Sequence, residues 1–280
     1  MNGRDRSSGW KHAKLSGHKN EVMVAQLLDT NFSYRKEFLK RVNASEKSIR
    51  RITIGGLHET NVPSVLGRST KSKTDLKITF DDEDTLNFSI KKSAAGQVYF
   101  LSAENFIQVF EKQFEIPVPE SVRRAMRLFW AAAEDAESII DQYGDRSKER
   151  DFQLQMRHKS LNAETLRAYD SRLWEDMLKW FAENAYELTA LAFSMGSVRD
   201  SDQWSDHIWY INLIGENDMD DIFPISKICR GAKACALQET YYGESNGGTT
   251  IQLPFGFVQW HQGKMQFHHN YQKIKSLLEK

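Results

Sequence analysis

Cysteine is nearly absent, with only Cys229 and Cys235 in 280 residues. Neither has a His or Cys neighbour at ligand spacing, which argues against a structural zinc site and a disulfide scaffold and fits a reducing compartment. No apolar run approaches the ~20 residues that span a bilayer. The opening Met1-Asn-Gly-Arg-Asp-Arg6 lacks the apolar core of a signal peptide. A cytoplasmic protein without a membrane partner is therefore expected. A Walker loop, GxGxxG, HExxH, GxSxG and CxxC are all missing. Nucleotide hydrolysis, classical dehydrogenase chemistry and zinc hydrolysis thus have no direct support. Net charge is missing too, because 38 Lys and Arg balance 38 Asp and Glu.

What is present describes a folded globular chain, 40% apolar with seven tryptophans and long enough to bury a substantial core. The zero net charge hides an asymmetry. Residues 1–80 hold 16 basic against 7 acidic side chains, and the rest hold 22 against 31. A basic N-terminal third suits one polyanion-facing surface.

The chain is organised around two short alternating segments. Ile78 and Phe80 alternate with polar neighbours, as do Leu86, Phe88 and Ile90, and Asp81-Asp-Glu-Asp84 lies between them as a turn. On this predicted hairpin Asp75 starts one strand, while Ser89 and Lys91 point the same way near the end of the other. A hard divalent cation needs oxygen ligands, and Asp75 with the backbone carbonyl of Ile90 would supply two. Lys91 would orient an attacking water and offset charge on a phosphorane. The alternative is a solvated hairpin with ordinary surface charges.

Residues 1–15 read as a loose polar arm. An amphipathic helix from Gly17 towards Phe32 places Glu21 in its first turn, suited to the helix dipole or to the rim of a metal site. A second helix covers Tyr34 to Val42, followed by a strand at 52–54. Lysine- and serine-rich 66–74, with Lys71 and Lys73, is a loop suited to phosphate contact. Residues 94–98 read as flexible, 100–114 as helix, and 122–143 as one helix capped by Ser121. Residues 144–160 read as an exposed connector and 163–195 as a long helical region. Beyond Gly196 the pattern turns to β, with strands at 207–213, 249–253, 255–260 and 264–268, an extended 222–225, and an undecided 234–241. A Gln262-Gly263 turn and a closing helix at 271–278 complete the reading.

Thr74-Asp75, Ser89-Ile-Lys91 and Ser93 together resemble the PD-(D/E)xK nuclease core in the variant of the MspI/HinP-like type II restriction endonucleases. There a small polar residue replaces the middle carboxylate. Gly17-His-Lys-Asn-Glu21, Trp180-Phe-Ala-Glu-Asn184 and the C-terminal Phe255–Trp260 with Lys264–Phe267 resemble further segments of that family in the same order. Residues 120–165 match none of it and stand as a possible helical insertion.

The resemblance implies an α/β (α+β) fold, a single domain over 1–280 with a mixed central sheet flanked by helices. It implies a site-specific double-strand endonuclease using Mg2+, with Mn2+ substituting. Asp75 would anchor the metal with Ile90, Lys91 would be the catalytic lysine, and Glu21 an outer carboxylate acting through water. Ser89 would stand in for a carboxylate. DNA would be met by Lys71, Lys73, Lys92, Ser93 and Gln97, and by Gln259, His261, Lys264 and Gln266 on C-terminal strands within 249–270. A short specific duplex site, a homodimer and a genetically linked DNA methyltransferase are the implied partners. The alternative reading is a DNA-binding protein whose nuclease-like core does not cleave, for which Ser89 is the main support.

Overall fold

The structure, a computed structural model, describes residues 6–55, 61–215, 219–235, 240–241 and 250–279, with backbone alone at 6–16 and 240–241. Helices α1 (Arg6–Thr30) and α2 (Phe32–Arg41) come first. Strands β1 (Ile49–Ile54), β2 (Asn61–Pro63), β3 (Ser69–Lys71), β4 (Leu76–Phe80), β5 (Thr85–Lys91) and β6 (Ala95–Leu101) follow. A helical region then carries α3 (Ala103–Phe114), α4 (Glu120–Phe129), α5 (Ala136–Tyr143), α6 (Glu149–His158), α7 (Ala163–Tyr169), α8 (Ser171–Glu183) and α9 (Ala185–Ala190). Strands β7 (His207–Ile211) and β8 (Asp220–Pro224) precede α10 (Ile225–Ala234). The chain ends with β9 (Thr240–Tyr241), β10 (Thr250–Leu253), β11 (Gly256–His261), β12 (Lys264–Asn270) and α11 (Tyr271–Leu278). These elements gather into two compact units, Met1–Ala94 with Phe193–Ser226, and Ala95–Ala192 with Lys227–Lys280.

The first unit is built on a mixed sheet in the order β1-β4-β5-β7-β8, in which β5 and β7 run parallel and the other pairs antiparallel. The expected hairpin forms, with Leu76 opposite Phe88 and Ile78 opposite Leu86. Leu76, Ile78, Phe88 and Ile90 share a core with Val24 and Leu28 of α1, Phe38 of α2 and Trp209 of β7. Phe38 stacks on Trp209 at 5.1 Å between ring centres. Polar Ser89 and Lys91 alternate with these core residues along β5, so the strand that completes the core also projects them together.

The second unit carries an antiparallel sheet in the order β6-β12-β11-β10-β9. One face is apolar through Met265 and Phe267, and Phe267 stacks on Phe106 of α3 at 5.6 Å. Phe106, Phe110, Trp180 and Phe181 continue that aromatic core among the helices. The Gln262-Gly263 turn between β11 and β12 is present, both residues at positive φ.

Several expectations for local structure are corrected. The loose arm is helical from Arg6, because no proline interrupts it and each added residue gains a backbone hydrogen bond once the packed half has nucleated. Residues 95–98 are not a flexible link but part of β6, paired with β12, and the helix expected from 100 starts at Ala103 behind a Ser102 cap. The helix expected over 122–143 breaks into α4 and α5 at Ala131, which has φ of 59°, and Ser121 lies inside α4 behind Pro119. The connector of 144–160 contains α6, which buries Phe152 and Gln155. The long helical region divides at Asp170, whose side chain caps α8, and ends in a π-helical turn over Leu191–Met195. Ile225 begins α10 instead of ending an extended run. Part of the undecided 234–241 segment lies outside the described residues.

Candidate functional site

Asp75 sits one residue before β4, where its backbone is held on both sides: its N–H donates to Phe88 O at 2.8 Å, and its carbonyl accepts from Gly55 N at 2.9 Å. A Cβ on Gly55 would come within 2.6 Å of Thr74 O, so only glycine lets β1 approach this closely. The loop leading in is fixed by the segment before β7: Thr74 Oγ1 donates to Gln203 O at 3.1 Å, and Ser205 Oγ to Lys73 O at 2.9 Å. The loop that reads from sequence as suited to phosphate contact is thus anchored at its end.

The Asp75 carboxylate then collects the end of β5. Its Oδ2 accepts from Ile90 N at 2.7 Å and from Ser89 Oγ at 3.2 Å, and lies 3.8 Å from Lys91 Nζ. Lys91 Nζ donates to Ser89 Oγ at 2.6 Å and to Ile90 O at 3.3 Å. Ser89 is buried, and both of its hydrogen-bonding roles are taken up inside the cluster. Its hydroxyl acts here as a bridge between the carboxylate and the ammonium.

Glu21 reaches the same cluster from α1, and its placement corrects one expectation. Because the helix begins at Arg6, Glu21 lies mid-helix and not in the first turn. The neighbouring Asn20 is the anchor: its buried amide donates to Ile211 O at 2.9 Å and accepts from Leu213 N at 2.7 Å, pinning α1 to the end of β7. Burial, reinforced by the Asp75 carboxylate and only partly offset by Lys91, pushes the Glu21 carboxyl up to about 8. Glu21 Oε2 lies 3.4 Å from His18 Nδ1, one turn earlier, and both atoms are buried without a hydrogen bond in the structure.

Lys73, expected to contact DNA phosphate from a loop, is half-buried and belongs electrostatically to the cluster. Burial and the Lys91 ammonium pull it down to about 7 against the opposing pull of Asp75. Lys71 is exposed at the end of β3, while Lys92 and Ser93 follow β5 directly. His18, Asn20 and the role of Lys73 were missed in the sequence. Their only signal was adjacency to Glu21 and Asp75, which says nothing of which helix face meets the sheet.

The remaining expected DNA contacts lie in the second unit, on the polar face of its sheet. Gln259 and Gln266 are directly opposite on β11 and β12, with Gln259 Nε2 donating to Gln266 Oε1 at 2.9 Å. Gln266 Nε2 donates in turn to Gln97 Oε1 on β6 at 2.7 Å. Lys264 lies over the Phe100 ring at 4.9 Å, and His261 packs near the same ring at 6.0 Å. The structure therefore gathers Gln97, Gln259 and Gln266 into one row, with Lys264 and His261 beside Phe100. His268 and Phe257, stacked at 4.6 Å on the same face, were not anticipated as members.

No protein-family model matches the chain, and no curated protein matches it. Among solved structures it is similar to the restriction endonuclease MspI in complex with its cognate DNA, at 12% identity and a TM-score of 0.44, with 92% of this chain and 87% of that one covered.

Proposed function

We propose that the chain is a site-specific endonuclease of double-stranded DNA, of the PD-(D/E)xK kind, dependent on a divalent cation. The observation that carries this is the Asp75 carboxylate holding Ser89, Ile90 and Lys91 within 2.7–3.8 Å at the end of one hairpin, with its charge adding to the burial that raises Glu21 of α1.

The donors fit magnesium. The Asp75 carboxylate, the Ile90 carbonyl and the Glu21 carboxylate are all hard oxygens, and Glu21 Oε2 is buried with no hydrogen bond to satisfy it. Among the described residues no three His, Cys, Asp or Glu side chains cluster as a full cage. A two-carboxylate site suits an ion that keeps several waters and takes substrate oxygen. When bound, such a cation supplies positive charge at the phosphate and a more acidic water.

The chain's own side chains supply the rest. Lys91, held by the Ser89 hydroxyl, carries its ammonium beside Asp75, where it orients the attacking water and offsets charge developing on the phosphorane oxygens. Glu21, held up to about 8 first by burial and then by the Asp75 charge, would hold the cation as a carboxylate and so would have to give up its proton to do so. In the second unit, the Gln97, Gln259 and Gln266 amides with Lys264 present the donor and acceptor types that read base edges in the major groove. A cognate DNA methyltransferase is the genetic corollary.

Ser89 favours one second reading, a DNA-binding protein that does not cleave, because a neutral hydroxyl already engaged by Lys91 and Asp75 adds no charge to a metal cage. Plasmid DNA with and without Mg2+ separates the two. Discrete fragments only with Mg2+ are expected; a mobility shift without fragments would establish the second reading, and neither result would reject both.

A further inference from the structure

The amide row ends on a histidine. Gln259 Nε2, which donates to Gln266, also faces His268 Nε2 at 3.4 Å, a long contact. His268 is held by its stack on Phe257 at 4.6 Å and lies directly opposite Gln97 across β12 and β6. At the other end Gln97 is exposed, and its Nε2 makes no hydrogen bond among the described residues.

A primary amide has one accepting and one donating end. In a row of three, turning over one alone sets oxygen against oxygen or nitrogen against nitrogen, so the row has two self-consistent directions. As the amides are oriented, Gln259 donates to Gln266 and Gln266 to Gln97, Gln97 offers its N–H groups outward, and His268 Nε2 accepts in the Nδ1-protonated tautomer. If His268 Nε2 instead carried a proton, Gln259 would turn its oxygen to it. Gln266 and Gln97 would follow, and the outward group would become an acceptor.

We propose that His268 is a specificity-positioning residue: it sets the direction of a three-amide relay across β11, β12 and β6, and so decides whether Gln97 offers a donor or an acceptor. The consequence for base choice rests on the endonuclease reading above, whereas the relay itself does not. Burial and His261 of β11 hold His268 below its ordinary value, which favours the neutral ring. With Gln259 Nε2 facing it, the tautomer that fits carries its proton on Nδ1 and leaves Nε2 the acceptor. On its own strand, Lys264 lies over Phe100 and His269 is buried on the opposite face. From α11, Lys273 is engaged by Gln252 and by the carbonyls of Leu253 and Gly256. The β6 partner opposite His268 is the uncharged Gln97.

The relay is tested in the free full-length chain by side-chain amide NMR from pH 8 to pH 5. The Gln259, Gln266 and Gln97 signals should move together with one midpoint, shared with the His268 ring. In His268→Phe, which keeps the stack on Phe257, that common titration should vanish. Independent titration of the three amides, or a common titration surviving in the variant, would overturn the proposal. The second arm compares duplexes differing at single base pairs. His268→Phe should lose about tenfold in discrimination at one base pair, the scale of one base-edge contact. Parent-like discrimination by His268→Phe, where the parent shows the common titration, would overturn the specificity role. Absence of duplex binding by the parent chain would reject the endonuclease reading and the specificity role with it, while the NMR arm still decides the relay.

Discussion

Lys91 and Asp75 hold one another through Ser89, and that bridge makes the three side chains separable by mutation. On the proposed function Lys91→Ala removes the ammonium that would offset transition-state charge, and cleavage should fall at least about a hundredfold. Ser89→Ala removes the bridge but leaves the 3.8 Å Asp75–Lys91 approach, so cleavage should fall only about tenfold, in keeping with one hydrogen bond of orientation. Parent-like rates for Ser89→Ala in a single-turnover assay would show that the hydroxyl only packs. Glu21 makes a different prediction. Its folded value of about 8 lies above the ordinary 4.5, so its protonated form is the one the fold favours. Its contribution is full below 4.5 and is lost as pH rises through about 8. Glu21→Gln, neutral throughout, should therefore melt above the parent at pH 8–9 without added cation and alongside it at pH 4. Thermal melts across that range check this; a lower melting temperature for the variant at pH 9 would contradict it.

Among the elements, the hairpin of β4 and β5 was legible because period-2 alternation survives where one face is buried, as at Leu86, Phe88 and Ile90. The closing strands β10 to β12, their turn at Gln262-Gly263 and helix α11 were legible for the same kind of reason. Helix ends were not. Ala131 at positive φ and the Asp170 cap interrupt apolar stripes that continue through them in the sequence. The candidate cluster was legible as residue types, with Asp75, Ser89 and Lys91 falling together. The burial of Lys73 and the Asn20 anchor were not, since both depend on contacts with residues more than a hundred positions away. Gly55 is the element-scale test of how β1 carries the site. Gly55→Ala forces a Cβ against Thr74 O, and should displace Asp75 and lower both melting temperature and cleavage. Parent-like values for both would show that β1 and the Asp75 loop have more slack than their 2.9 Å hydrogen bond implies.

For the whole molecule, a balanced net charge with a basic N-terminal third means that DNA affinity should depend on salt through a limited set of cations. Lys71, exposed on β3, should contribute to that slope, so Lys71→Ala should weaken binding to cognate and scrambled duplexes alike and reduce the salt slope by about one. Half-buried Lys73 should act on cleavage more than on the slope. The central claim is that the cluster at the end of the hairpin performs chemistry on DNA and is not a surface ion pair. It is tested most directly by measuring binding and Mg2+-dependent cleavage of one cognate duplex by the parent, Lys91→Ala and Asp75→Ala side by side. The account predicts specific binding by all three and cleavage by the parent alone. Near-parental cleavage by either variant would contradict it.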